Sequence, residues 1–167
     1  EIFIKLIYHE TRFPFKFKLL GKANFNLDIV KNVMDRIILK TDLHFSDFHK
    51  EFADAYCICP LISKTRNPDY YTNSISSSIN YSKGYKLKTF LDNELQKIYN
   101  LSNTMVYKSD YSDILVKFEK LLEEFYNSKH ICGVYIEPRD LLHVYKNIEN
   151  FVNVVPGSVL YFFCGKG

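Results

Sequence analysis

Two adjacent stretches decide how the fold is read: Ile2-Phe3-Ile4-Lys5-Leu6-Ile7-Tyr8, and Phe13-Pro14-Phe15-Lys16-Phe17-Lys18-Leu19-Leu20. The first is apolar, β-branched and aromatic, and is bounded by the polar run His9-Glu10-Thr11-Arg12. The second alternates, with Phe13, Phe15, Phe17 and Leu19 on one parity and Lys16 and Lys18 on the other. A period of two marks a half-buried strand. Together the stretches predict a hairpin that ends at Gly21, with the two lysines turned to solvent.

The pattern after Gly21 changes to helical spacing. Asn26 is placed to cap a helix, Asp28 falls in its first turn, and Leu27, Val30, Val33, Met34, Ile37 and Ile38 follow at intervals of three and four. Lys40 then lies where it suits the helix dipole. Residues 42–60 predict a second helix through Phe45, Phe48, Phe52, Ala55 and Tyr56, stopped near Pro60. Residues 63–85, rich in Ser, Asn and Tyr, read as a long loop. Leu87, Phe90, Leu91, Leu95, Ile98 and Tyr99 predict a further amphipathic helix. A stronger one, capped by Ser112, carries Ile114, Leu115, Phe118, Leu121, Leu122 and Phe125.

Strand signals return at Ile131–Ile136, at Leu141–Val144 and at Val159–Cys164, with turns at Glu137–Asp140 and at Pro156-Gly157. The last run is almost wholly apolar and is predicted to be central in a sheet. The order is therefore strand, strand, helix, helical insertion, strand, strand, short helix, strand. That predicts an α+β chain in which residues 1–41 and 130–167 form two halves of one unit around a mostly helical insertion, 42–129.

This order is that of the ubiquitin-like β-grasp, and within it the two ends resemble a doublecortin domain. The matching features are Ile2–Tyr8, Thr11-Arg12-Phe13, Phe15–Leu20 and Lys22-Ala23-Asn24-Phe25-Asn26-Leu27 at the start. At the end they are Val134-Tyr135, Glu137–Asp140, Tyr145–Phe151 and Gly157–Gly165. The resemblance covers about 75 of the 167 residues, in two blocks. The turn Pro138-Arg139-Asp140 departs from the family's Asp-Gly, and the insertion has no counterpart in the family pattern. Helix 112–126 directly precedes the third strand and competes with helix 27–39 as the grasping helix. The grasp requires residues 159–164 to lie beside residues 2–8.

The resemblance implies a non-catalytic microtubule-binding module, cytoplasmic and cytoskeletal, meeting tubulin or another acidic protein surface through Arg12, Lys16, Lys18 and Lys22. Charge is consistent with that. The chain has a net charge of +3, while residues 1–41 hold eight basic and four acidic groups. A basic face steers an acidic partner toward it. Lysine outnumbers arginine 18 to 4, and Asn, Ile, Tyr and Phe are abundant. This is the signature of an AT-rich genome, and it weakens any patch argued from lysine alone.

Two other binding classes stay open. Phe15-Lys16-Phe17-Lys18 and the run Tyr81, Lys83, Tyr85, Lys86, Lys88 interleave rings with cations, as single-stranded RNA binders do. A pI near 8.6 is modest for that class. A generic ubiquitin-like interaction module is the other alternative, and the closing Gly165-Lys166-Gly167 invites comparison with conjugating proteins.

Enzymatic motifs are not found: the sequence has no Gly-rich phosphate loop, no Gly-x-Ser-x-Gly and no His-Glu-x-x-His. No catalytic residue, cofactor or metal is expected. Cys57 and Cys59 with His44 and His49 can be drawn as a zinc site, but the one-residue spacing favours buried thiols. His130 with Cys132, and Glu137 with Asp140, read as packing and turn residues. Four cysteines in apolar runs point to a reducing, intracellular compartment. No run reaches the ~20 apolar residues of a membrane span and no leader is visible. The missing first Met and the abrupt end are read as marks of a trimmed piece of a longer chain.

Overall fold

The computed structural model describes residues 2–21, 27–52, 55–108, 110–128 and 160–164. In chain order the elements are α1 (Ile2–Tyr8), β1 (Lys16–Gly21), a 3-10 segment (Leu27–Arg36), β2 (Ile37–Thr41), α2 (Phe45–Lys50) and β3 (Ala55–Ile58). A 3-10 turn (Pro68–Tyr71), α3 (Ser77–Tyr85), β4 (Lys88–Asp92), α4 (Asn93–Tyr99), β5 (Thr104–Tyr107), α5 (Tyr111–Asn127) and β6 (Leu160–Cys164) follow. The chain is mixed α and β, as its pattern predicted.

The six strands form one sheet in the order β2-β1-β6-β3-β4-β5. β1 pairs parallel to β2, from Phe17 opposite Ile37 to Gly21 opposite Thr41. β3 runs parallel to β4, and β4 to β5. β6 is antiparallel to both its neighbours, β1 and β3. Among the described strands, five therefore share one direction and β6 opposes them. The central position expected for residues 159–164 is borne out for 160–164, but their neighbours are residues 16–20 and 55–58, not residues 2–8 as the expected β-grasp requires.

The predicted N-terminal hairpin is not formed, because residues 2–8 are helical. Phe3, Leu6 and Ile7 are buried at a spacing of three and one, which places them on one helix face. A seven-residue apolar run carries no periodicity that separates strand from helix, and tertiary packing decides it. α1 lies on the first sheet face with α5 and the 27–36 segment. There Phe17, Leu19, Val30, Phe90, Tyr107, Phe118, Leu121 and Leu122 make one core. Arg36 anchors the end of α1, its Nη1 donating to the carbonyls of Ile7 and His9, each at 2.8 Å. Such carbonyls have no partner inside the helix.

The second face is covered as well. Leu20, Phe52, Ala55, Ile58, Tyr85 and Leu87 pack under α2 and α3, while Ile62, Ile79, Leu91, Leu95 and Tyr99 pack where α3 and α4 meet. A mostly parallel sheet buried on both sides is the expected result of helical crossovers. It also explains why both parities of β1 are enclosed.

Several further expectations are corrected. The helix expected over 27–39 is a 3-10 segment bent at Val33 (φ −131°, ψ 26°) that gives way to β2, because Ile37-Ile38-Leu39 finds a parallel partner in β1. Stretch 42–129 is not a helical insertion: it supplies β3, β4 and β5 to the same sheet. Its first predicted helix stops at Lys50, and Ala55 and Tyr56 belong to β3. The loop expected over 63–85 ends in α3. The amphipathic reading of 87–99 merges β4 with α4. α5 is as predicted, with Ile114, Phe118, Leu121, Leu122 and Phe125 buried, although Asp110 and not Ser112 is its N-cap. The strands expected at 131–136 and 141–144, the cap Asn26 and the Glu137–Asp140 turn lie outside the described residues.

Candidate functional site

Because five strands run the same way, their carboxyl ends share one edge of the sheet. From β1 the chain departs to β2 on one side; from β3 it departs to β4 and β5 on the other. The connections of β1 and β3, which flank β6, thus diverge to opposite sides, the arrangement at which open α/β sheets take ligands at the carboxyl edge.

The backbone at that edge is unusual. β1 closes at Gly21, whose φ of +139° L side chains rarely adopt, and a Cβ there would meet none of the described residues within 4 Å. Asp42, directly after β2, has φ 52°, and Leu61, three residues after β3, has φ 50°. A bulky leucine in the left-handed region carries strain that its surroundings must hold. Cys59 and Pro60, which lead into Leu61, are both buried.

Beyond β3 the chain folds over the carboxyl end of β4. Lys64 pairs with Glu94 at 2.7 Å, the Tyr71 hydroxyl donates to the Ile62 carbonyl at 3.4 Å, and the Tyr99 hydroxyl donates to the Ser74 carbonyl at 3.2 Å. Burial, with the nearby charges of Asp92 and Glu94, holds the Tyr71 hydroxyl well above its ordinary pKa. Asp92 ends β4 and caps α4, its Oδ1 accepting from the amides of Glu94 at 2.9 Å and Leu95 at 3.4 Å. This part of the edge is sealed.

α3 begins differently. Its last residue lies three positions before β4, so its first turn points to the carboxyl edge. Ser76 occupies the N-cap with extended backbone but makes no side-chain capping bond, its Oγ lying instead 2.6 Å from that of Ser78. One turn further, Asn80 is buried and neither its Oδ1 nor its Nδ2 has a hydrogen-bond partner. A buried amide left so costs about 1–3 kcal/mol. The other end of α3 is well satisfied: Ser82 bonds Thr89 and the Leu87 carbonyl, and the Tyr85 hydroxyl bonds His49 Nδ1. Burial lowers the His49 pKa to about 4.

The four residues expected to form a basic face are not assembled into one. Lys18 is only 3% exposed; it turns to the α2 side of the sheet, where its Nζ meets Glu51 Oε2 at 2.7 Å and donates to the Glu51 carbonyl at 3.1 Å. Lys40 approaches the same carboxylate at 3.5 Å. The outward placement expected for Lys18 is thus corrected, since both faces of β1 are covered. Lys16 is half-buried at the start of the strand, and Arg12 is exposed beside the Phe13 ring, 5.8 Å from its centroid. Lys22 lies outside the described residues.

Cys57 and Cys59 are buried free thiols on the α1 and α5 side, and burial, with Cys57 adjacent, pushes the Cys59 thiol well up. His49 belongs to the opposite face, bonded to Tyr85, so the drawn Cys2His2 set does not converge. Among the described residues no group of three or more His, Cys, Asp or Glu is arranged to hold a metal. No helix of the described residues is long and apolar enough to cross a membrane. His130 and Cys132 lie outside them.

The sequence offered one signal for this edge, the Asp92-Asn93-Glu94 capping pattern inside an apolar stretch. Nothing in it marks Leu61 or Asp42 as left-handed. In comparisons with known proteins, no family model, no curated protein and no solved structure matches this chain.

Proposed function

We propose that this chain is a binding domain for a phosphate-bearing small molecule of the nucleotide class, held in the crevice at the carboxyl ends of β1 and β3. The observation that carries the reading is the divergence of connections from two strands of the same direction, the feature at which open α/β sheets take ligands. Leaving β6 aside, the parallel strands stand in the order β2-β1-β3-β4-β5, one of the common doubly wound orders. The first turn of α3 supports an anionic ligand, since free amides and the dipole both favour negative charge there. The open space at Gly21 allows a ligand to approach the backbone closely.

The test is thermal denaturation of the whole chain with nucleoside mono- and diphosphates at millimolar concentration. A ligand present at a hundred times its Kd adds about 2.7 kcal/mol of stability. At least one nucleotide is expected to raise Tm more than inorganic phosphate does. If none raises it, the reading fails.

Binding to microtubules or another acidic protein surface is the second reading, favoured by the basic excess of residues 1–41 alone. Residues 160–164 lie beside 16–20 and 55–58, and not beside 2–8 as a β-grasp requires. Among the described residues it would draw on Arg12 and Lys16, since Lys18 is committed to Glu51. Salt-sensitive cosedimentation with microtubules, lost on Arg12→Glu with Lys16→Glu, would support it; absence of cosedimentation would remove it.

A further inference from the structure

Asn80 stands on α3 four positions after Ser76, and its backbone N–H donates to the Ser76 carbonyl at 3.2 Å. Helical side chains lean toward the N-terminus and cover the turn before their own Cα. The Asn80 amide therefore overlies the first turn of α3. The residue is only 2% exposed, yet neither its Oδ1 nor its Nδ2 has a hydrogen-bond partner. The buried serines of the same helix are met, Ser78 by Ser76 and Ser82 by Thr89.

The first turn adds donors of its own. The amides of Ser77, Ser78 and Ile79 stand too early in the helix to find a carbonyl within it, and the Ser76 side chain caps none of them. To these three N–H groups Asn80 adds the donor Nδ2 and the acceptor Oδ1. The composition of the set is the same whichever way the amide is turned. Ser77 precedes Asn80 by three residues, on the same side of the helix, and is half-buried, which leaves the set a way to solvent. The Tyr99 hydroxyl, donating to the Ser74 carbonyl at 3.2 Å, holds the chain that enters α3.

A ligand that meets this set must offer several acceptors and one donor. Phosphate that retains a proton does so: its bare oxygens accept and its P–O–H donates. A phosphate ester still holds part of its second proton at pH 7, where its charge is about −1.5 to −2. Sulfate, of the same shape, has no proton to give near neutrality and would set an oxyanion against Oδ1. We propose that Asn80 and the first turn of α3 form the seat of a phosphate group that retains one proton, with Asn80 as the residue that selects phosphate over sulfate. This selection rests on the same edge binding phosphate, and it adds the protonation state of the group and the side chain that reads it.

Titration of the full chain at pH 7 and constant ionic strength, followed through the backbone amide shifts of residues 77–80, tests it. Inorganic phosphate, sulfate and a nucleoside monophosphate form separate arms. Phosphate is expected to bind at least about tenfold more tightly than sulfate, the effect of one buried acceptor left unmet. That ratio needs no variant. Asn80→Leu is expected to lower phosphate affinity about tenfold and bring the two anions level. A nucleoside monophosphate that binds more tightly than inorganic phosphate marks the group as part of a nucleotide; the reverse order marks free phosphate, and either order supports the seat. Equal affinity for phosphate and sulfate, or phosphate affinity unmoved in Asn80→Leu, overturns the role of Asn80, while a nucleotide that still raises Tm leaves the reading of the edge standing. If none of the three anions shifts these amides and no nucleotide raises Tm, the seat and the reading of the edge fail together.

Discussion

α3 and α4 begin at the same edge of the same sheet, and they are dressed in opposite ways. At α4 a buried carboxylate, Asp92, closes the first turn, and the chain between β3 and α3 is fastened over it by Lys64, Tyr71 and Tyr99. At α3 the N-cap serine makes no capping bond and a buried amide nearby has no partner; at the same edge of the sheet β1 ends in Gly21, at φ +139°. Two helices of similar length thus differ in whether their first turns are complete by themselves. The first turn of α4 is completed by the chain's own side chains, and that of α3 is not.

The largest expected effect lies at the finished end of α3. The folded pKa of His49, about 4, is below the ordinary imidazole value of 6.5 because the ring is buried, so the unfolded chain takes up the proton first. The contribution is complete above pH 6.5 and is lost as pH falls toward 4, about 3 kcal/mol in all. A denaturation series over that range should show the loss, and His49→Gln should flatten it. Ligand binding at the other end of α3 should not follow this titration.

Next in size is the sealed turn. Asp92→Ala removes the α4 cap and should cost about 1–2 kcal/mol in chemical denaturation while leaving nucleotide affinity unchanged. Gly21→Ala tests the open side. A Cβ meets none of the described residues there, so the cost is the backbone alone, about 1 kcal/mol from forcing alanine to φ +139°. Unlike Asp92→Ala, it should weaken ligand binding, because the added methyl enters the crevice. The smallest effect has the opposite sign. Asn80→Leu replaces an unpartnered buried amide by an apolar side chain of similar size and should stabilise the free chain by about 1 kcal/mol. If it destabilises, the amide is satisfied in solution and the contrast between the two helices is weaker than drawn.

These contrasts were only partly legible in the sequence. α5 was readable because five buried apolar residues recur through 17 positions, long enough for the helical period to stand out. The central place of residues 160–164 followed from their unbroken apolar character. β1 was readable as a strand but not as one buried on both faces; Leu20, sharing parity with Lys18, was the sign that the second face also had a core. Where strand and helix abut inside one apolar stretch, at Arg36-Ile37 and at Asp92-Asn93, the periodicities blend into a single false helix. α3 escaped because four of its six buried residues, Ser78, Asn80, Ser82 and Gly84, are of types that composition assigns to loops, with only Ile79 and Tyr85 supplying apolar signal. The open edge was the least legible, since it depends on which strands become neighbours, and that is set by long-range pairing.

The most direct measurement is to map nucleotide-induced amide shifts by NMR on the full chain, with Asp92→Ala and Gly21→Ala beside it. A ligand at this edge should perturb residues 20–21, 59–63 and 76–80, persist in Asp92→Ala and weaken in Gly21→Ala. Shifts confined to Arg12 and Lys16, or no shifts at saturating nucleotide, would contradict the account.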